Sequence, residues 1–469
     1  MDRRSCRHSD RRLEPLLGLK ILFVEPLGMK CLFVLLGGSL LLVRLAPAED
    51  TLTWDQCVRL ATLNNPDMVA SHESLRSYEA KYGGSYSAYF PQITASAGGT
   101  YTHSPATTQA TGSETVSTSG GATYSGGSFG GVSNQLHQYT ASVTVSQTLY
   151  DGGLTPGNVA QAGANYRAQV AAFVVEKSLI SYDLKSAFAQ LLYAQELVTL
   201  TGEIVQRRRS DADLIHLKWD GGRENKGAYL LSESDYRQAV LDFHNAQRNV
   251  VVSQHQLAQV MGVKVPPGTV ALGKLITMQP PASPDFEKLS VGSPTHFEQV
   301  SETESSRAGI TIARAGFLPT VAVSASLERE DTRFFPKSDG WNADFSVSIP
   351  IFDGGKTYFD VKSAEASLRQ ALANLKSSDD SSVYTLAQNY STLVSDIEAV
   401  VANQQTVAAQ KVRSEIGEGQ YSNGLISFTD FNLIENDLVT AEKQELQSRR
   451  DAVIAESNWE YAQGKGVIP

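Results

Sequence analysis

Cysteine is nearly absent from this chain: there are three in 469 residues, and two of them, Cys6 and Cys31, fall near the N-terminus. Without that stretch only Cys57 is left, which excludes an intramolecular disulfide framework and any thiolate cluster for a metal. Past residue 48 no run of 18 apolar residues occurs, which excludes a membrane-spanning helix in that part of the chain. Positive charge is scarce as well. The 40 Lys and Arg against 50 Asp and Glu give a net charge of -10, and the one dense basic run lies at the extreme N-terminus, so nucleic acid is not expected as a partner. The eight histidines are scattered, no glycine pair has the Lys and helix start of a phosphate cradle, and no Ser or Thr has a base beside it. No catalytic residue, cofactor or metal is therefore expected, and an enzyme is excluded for want of a converging acid, base or nucleophile.

The N-terminal segment 1–48 has the order of a secretory signal. Arg3, Arg4, Arg7, Arg11 and Arg12 precede apolar stretches, and a second start at Met29 opens a compact signal of its own. In that shorter version Lys30 leads an apolar run through Val43, and Ala46-Pro47-Ala48 supplies a small-x-small cleavage site before Glu49. A membrane anchor needs about 20 uninterrupted apolar residues, more than this run offers.

What the remainder has in abundance is self-similarity. Phe90-Pro91-Gln92 followed by alternating Ile93, Ala95 and Ala97 matches Leu318-Pro319-Thr320 followed by Val321, Val323, Ala325 and Leu327. Tyr150-Asp151-Gly152-Gly153 matches Phe352-Asp353-Gly354-Gly355, and each is preceded by another period-two stretch. Such alternation predicts strands with one apolar and one polar face, over about 92–102 and 137–150 in the first copy and about 320–329 and 341–351 in the second. A soluble sandwich strand has the same pattern, but about ten residues is also the length of a tilted strand crossing a bilayer. The polar faces here are Ser, Thr, Gly and Gln with almost no charge, which suits a wet lumen. Four strands cannot close a barrel and an open edge cannot sit in lipid, so transmembrane strands require several chains in one barrel. The first strand pair is joined by a longer link: 60 positions separate Pro91 from Asp151, and 34 separate Pro319 from Asp353. The excess, Tyr101 to Gln135, is rich in Gly, Ser and Thr and reads as an outer loop.

After each Asp-Gly-Gly turn the period changes. From about Pro156 to Leu217 and Thr357 to Tyr421 there is no internal proline, and Leu386, Tyr390, Leu393, Ile397, Val400 and Val407 follow a heptad seam. Rods of roughly 90 Å follow from the rise per residue. Return helices are expected over about Leu231 to Met261 and Thr429 to Ala462, with shorter helices upstream at about Trp54 to Tyr89 and Glu298 to Ala315 extending them towards the strands. Each rod pair reverses near a glycine, Gly227 in the first copy and Gly424 in the second, where Ser427 or Thr429 caps the next helix. The first tip carries five extra residues within Lys218 to Lys226. Asp430, and its first-copy match Glu233, are either helix-start residues or parts of an acidic ring where chains converge. The domain division is 1–48 signal, 49–262 first repeat, 263–294 linker, 295–464 second repeat and 465–469 tail.

These features together resemble the TolC-like outer-membrane channel proteins of bacterial efflux and type I secretion systems. The residues that carry the likeness are LTWDQCVRLA from Leu52 to Ala61, Asn65-Pro66, the strands led by Pro91 and Pro319, the two Asp-Gly-Gly turns, and Gly424 to Asp430 continuing to Asn436. The resemblance spans about residues 51 to 464. It implies an α+β fold: a trimeric membrane β-barrel with four strands per chain, continuous with a long α-helical coiled-coil periplasmic tunnel and carrying an internal twofold repeat. The linker Val263 to Pro294 and the chain ends form an equatorial collar. It further implies a homotrimer in outer-membrane lipid, docked at its tips to a periplasmic adaptor and an inner-membrane pump that supplies the energy. In some members two aspartates one turn apart narrow the entrance; Asp430 falls on the first position, and Leu433 occupies the second. A periplasmic coiled-coil scaffold that forms no channel is the competing reading, and it leaves the paired strands without use. N-terminal sequencing of protein recovered from the cell envelope is expected to begin at Glu49; a chain still starting at Met1 or Met29 would overturn the cleavage site.

Overall fold

Alternating apolar residues do become strands, and the uninterrupted Ala-, Gln- and Leu-rich stretches become helices far longer than globular ones. The structure is a computed structural model that describes residues 51–104 and 134–469, apart from positions 265, 267, 277, 278, 280, 281, 283 and 335. The expected signal at 1–48 and most of the Gly/Ser/Thr-rich loop lie outside the described residues. In chain order the elements are β1 (Thr51–Thr53), α1 (Trp54–Asn64), α2 (Pro66–Ser85), β2 (Gln92–Ser104), β3 (Asn134–Tyr150), α3 (Leu154–Asp220) and α4 (Lys226–Met261). They continue as β4 (Val270–Leu272), α5 (Phe286–Val291), α6 (Pro294–Ala315), β5 (Thr320–Asp331), β6 (Ser338–Ser348), α7 (Lys356–Ser422) and α8 (Phe428–Ala462).

The four long strands form one antiparallel sheet in the order β2-β3-β5-β6. Its register sets like against like. Ile93 faces Val145, Val145 faces Ala325, and Ala325 faces Ala343, while Ala95, Val143, Leu327 and Trp341 make the next row. One face of the sheet is therefore apolar across all four strands, and Phe345, Trp341, Leu327 and Ile93 on it are all exposed. The other face carries hydroxyls and amides; the Ser96 and Ser142 hydroxyls meet at 2.8 Å and Ser326 donates to Asn342. β6 stops at Ser348 rather than running on to Ile351 as the alternation suggests, because Pro350 has no N–H to give to a ladder.

The two Asp-Gly-Gly turns convert strand to helix by the same means. Gly152 and Gly153 have φ of 69° and 95°, and Gly354 and Gly355 have 71° and 87°, a left-handed conformation that costs a side-chain-bearing residue about 1–2 kcal/mol. Asp151 then accepts from the Gly153 and Thr155 N–H groups at 3.1 and 2.7 Å and from the Thr155 hydroxyl. Asp353 does the same with Gly355 at 2.9 Å and Thr357 at 2.8 Å, and the Thr357 hydroxyl and backbone bonds hold its carboxyl below the usual carboxylate range.

Both α3 and α7 are 67 residues long, roughly 100 Å at the helical rise, and their return helices α4 and α8 have 36 and 35. In the half away from the strands the helices lie side by side in the order α4-α3-α8-α7; nearer the strands, α2 packs on α3, and α6 on α3 and α7. α3 sits inside this layer and buries small residues, among them Gly163, Ala164, Ala171, Ser178, Ala187 and Ala194, which let its neighbours approach closely. α7 lies at the edge. It buries Leu386 and Leu393, which pack with Ala455 and Trp459 of α8, and leaves most of its length open. Each return rod is made of two helices set end to end. The end of α4 meets the start of α2, where Asn65 donates to the Val260 carbonyl at 2.8 Å, and Gly464 just past α8 lies against Pro294 of α6.

The main core gathers at mid-height, where Cys57 and Ala61 of α1 meet Leu184, Phe188 and Leu191 of α3, Leu257 and Met261 of α4, and Leu446 and Val453 of α8. β1 and β4 pair in parallel beside it, Leu52 opposite Ala271, so the start of the described chain is held by the segment that links α4 to α6. Burial pushes the Cys57 thiol up to about 11, leaving it a packing group. A methyl group added at Gly152 would meet the Leu318 side chain at 2.7 Å and the Ala315 carbonyl at 2.8 Å, whereas one added at Gly354 meets nothing within 4 Å. Gly152→Ala is thus expected to lower the thermal midpoint of the purified protein well beyond Gly354→Ala; equal shifts in paired melting curves would contradict the close approach.

Candidate functional site at the rod tips

The tips are where the two helical hairpins end together. α3 closes at Asp220, the chain reverses through Gly221 and Gly222 (φ 70°), and Asn225 caps α4 by accepting from the Ala228 N–H at 2.9 Å. Gly227, expected from the repeat to make this reversal, lies inside the first turn of α4 instead. The five extra residues expected in this tip are not there: α3 and α7 have the same length and the reversals 221–225 and 423–427 the same span, so Gly222 is the counterpart of Gly424 and Asn225 that of Ser427. Ser232 and Glu233 accordingly fall within α4 rather than at its start, and Glu233 pairs with Arg237 at 2.6 Å.

The second tip follows expectation more closely. Gly424 has φ 78°, and Ser427 caps α8 in a reciprocal box, accepting from the Asp430 N–H at 3.2 Å while its hydroxyl donates to the Asp430 carboxylate at 2.7 Å. Asp430 is exposed as well as capping, and Leu433 one turn on is exposed too. Asp430 and Glu233 are therefore engaged separately, one by a cap and one by an arginine.

What binds the tips to each other was not visible as a motif. Tyr421, the last turn of α7, is 2% exposed and stacks on Phe431 of α8 with centroids 4.8 Å apart. Ile215 of α3 and Ala228 of α4 complete this small core. The Tyr421 hydroxyl donates to Glu224 at 3.0 Å, and Lys218 places its ammonium 3.8 Å from the Tyr421 ring centre and donates to the Tyr421 carbonyl. Burial and the Glu224 charge push the Tyr421 phenol above its usual range, and burial pulls the Lys218 ammonium down. Lys218 lies in the last turn of α3 and Glu224 in the reversal that follows it. No spacing signal marks this clasp, since Lys218 and Glu224 align with Gln420 and Ile426 of the second tip and differ from them only in side chain.

Towards mid-height, α3 and α8 are joined by charge. Arg207 reaches Glu442 at 2.6 and 3.2 Å, Arg208 donates to Asn432 and Asn436 at 3.3 and 2.5 Å, Arg449 meets Glu196 at 2.9 Å, and Lys185 meets Glu456 and Glu460 at 3.0 and 3.1 Å. Among the described residues no group of three or more His, Cys, Asp or Glu is placed to hold a metal ion, and no helix is long and apolar enough to cross a membrane.

A four-stranded sheet with a continuous apolar face, set on paired helices of about 100 Å, defines a class: the efflux channel proteins of the outer membrane. Comparison with known proteins agrees. The family model described as "Outer membrane efflux protein" matches residues 57–263 and 298–464, and the chain belongs to that family. It is 23% identical over 430 residues to the outer membrane efflux protein BepC of Brucella suis biovar 1 (strain 1330), covering 90% of this chain and 87% of that protein. The fold is that of solved CusC (TM-score 0.74, 16% identity, 88% of this chain and 92% of that one). It is likewise that of the open-state MtrE outer membrane channel of Neisseria gonorrhoeae (TM-score 0.72, 17% identity, 88% and 89%). The protein is accordingly a non-enzymatic efflux channel component of the outer membrane with helices that extend into the periplasm.

Removing the Tyr421 hydroxyl should loosen the clasp by about 1 kcal/mol, raising the open fraction about fivefold. Limited trypsin digestion of Tyr421→Phe is expected to cut after Arg223 correspondingly faster; an unchanged rate would show that the Glu224 bond holds nothing.

Proposed function

We propose that three copies of this chain form a passive exit duct, a twelve-stranded barrel in the outer membrane above a helical periplasmic tunnel. The carrying observation is that both layers end in open edges. β2 and β6 bound the sheet with one ladder each, and α4 and α7 bound the helical layer while exposing Leu241, Val251 and Val252 on one and Tyr384, Val401 and Val412 on the other. An unpaired strand edge in hydrocarbon leaves N–H and C=O groups unsatisfied at several kcal/mol each, and pairing β6 of one copy with β2 of the next removes both edges. The exposed Phe90, Phe352 and Phe359 at the helix end of the strands suit a membrane interface.

In this reading each chain contributes two copies of one strand-hairpin and rod-hairpin unit, 49–262 and 295–464, joined by the linker 263–294. The tips dock to a periplasmic adaptor and an inner-membrane pump, and the cargo is a small molecule or a secreted polypeptide chosen by that pump. Asp430, exposed at each second-copy tip, adds one negative charge per chain where three chains converge, with Gly424 and Gly227 flanking the docking surface and Glu233 offset and neutralised by Arg237. The scaffold reading explains the rods but gives the exposed apolar sheet no solvent suited to it.

Purified protein in planar lipid is expected to be trimeric and to conduct ions; water-soluble monomers without conductance would overturn the duct. Asp430→Ala should reduce preference for cations in reversal-potential measurements, and an unchanged preference would leave Asp430 with its capping role alone.

A further inference from the structure

Where Arg207 and Arg208 of α3 meet α8, the charges do not balance. Two guanidinium groups face three carboxylates, Asp211, Glu435 and Glu442, in the closed joint between the hairpins. Glu442 takes both hydrogen bonds of Arg207, Arg208 is committed to the amide oxygens of Asn432 and Asn436, and Ser414 of α7 donates to one Glu435 oxygen. The other Glu435 oxygen, Oε2, and Oδ2 of Asp211 are both shut away from solvent with no hydrogen-bond donor. Arg207 Nε lies 3.7 Å from that Glu435 oxygen, too far to donate, and is itself unpartnered. Lys411 lies 3.8 Å from Glu442 but on the exposed side. One negative charge is in excess, and two buried acceptors lack a donor. A proton on Asp211 removes the excess charge and turns one of the two acceptors into a donor.

We propose that this joint is a pH-sensitive catch: a proton on Asp211 keeps α3 and α8 together near the tips, and its loss sets Asp211 and Glu435 against each other as buried like charges that part the hairpins. The groups that act on Asp211 come from three helices. Glu435 on α8 and Glu418 on α7 oppose its ionisation, and Arg208 and Arg207 on α3 favour it. Burial is the largest influence, followed by Glu435, and together they raise the carboxyl to about 7. A carboxyl whose folded value lies above its unfolded one makes the closed joint bind more protons in the window between them. Its stability therefore falls as pH rises from about 4 to about 7 and is level above that. A periplasmic tunnel meets pH changes of this range directly. That the parted hairpins widen an entrance rests on the duct reading; the catch itself does not.

Two readouts separate these claims. Trypsin cleavage after Arg223 reports tip opening in detergent, and conductance in planar lipid reports the duct. Between about pH 6 and pH 8 the open fraction of the natural protein should rise about tenfold, the factor set by a group that ionises near 7. Asp211→Asn keeps the shape without the charge and is expected to hold a pH-independent rate below that of the natural protein at both values. Glu435→Gln removes the repelling partner and should blunt the rise as well. A cleavage rate that does not change with pH, or a rise that persists in Asp211→Asn, overturns the catch. A pH-dependent cleavage rate in a protein that never conducts keeps the catch and overturns the duct.

Discussion

Main-chain hydrogen bonding at the two outer edges of the sheet is the constraint on which the rest of this structure turns. β2 and β6 each have one side of their ladder filled and one empty, while the face they share is apolar from Ile93 to Trp341. Such a sheet is unsuited to water by its face and to lipid by its edges. In the proposed trimer both difficulties vanish together, and the same three contacts bring α4 and α7 of adjacent chains into register below. The lumen-facing hydroxyls of Ser96, Ser142 and Ser326 then need no charged partner, since water reaches them.

Two kinds of adhesion hold one chain together, and their balance changes along the rods. Within the second hairpin the contact is apolar, Leu386 and Leu393 against Ala455 and Trp459. Between hairpins, α3 and α8 meet through Arg207, Arg449 and Lys185, each crossing to a carboxylate. Half-buried ion pairs contribute little net stability beside well-packed apolar side chains, since desolvation offsets much of their attraction. Between the mid-height core, where Leu446 and Val453 of α8 meet α3, and the Tyr421 clasp, the boundary between hairpins is thus weaker and charge-sensitive.

Much of this fold is legible in sequence because its elements are long and regular. Period-two apolar residues fix four strands whose faces the register confirms, and Asp-Gly-Gly marks the change to helix because only glycine accepts the two left-handed residues and only a short carboxylate reaches back to cap the helix. The errors are local ones. Pro350 ends β6 early, against an alternation that continues to Ile351. Gly227 is the expected match of Gly424, whereas Gly222 stands as far from its Asp-Gly-Gly turn as Gly424 does from its own and makes the left-handed reversal, so the repeat's spacing already held the right glycine. Asp430 stands in the first turn of α8, boxed with Ser427. The clasp and the α3–α8 boundary were not legible at all: Lys218, Glu224, Arg207 and Arg208 find partners some 200 residues away, and polar side chains on rods carry no period that distinguishes a crossing pair from a solvated face.

The rods differ in one respect that bears on mechanics. α3 and α7 run unbroken for 67 residues, while each return rod is interrupted at mid-height, where α4 abuts α2 and α8 abuts α6. A continuous helix resists stretching and carries a push or twist along its whole length; a butt joint held by Asn65, or by Gly464 against Pro294, transmits compression but little torsion. In the proposed trimer the wall would alternate stiff struts with jointed ones, and torsion applied at the tips would be carried upward by α3 and α7 alone.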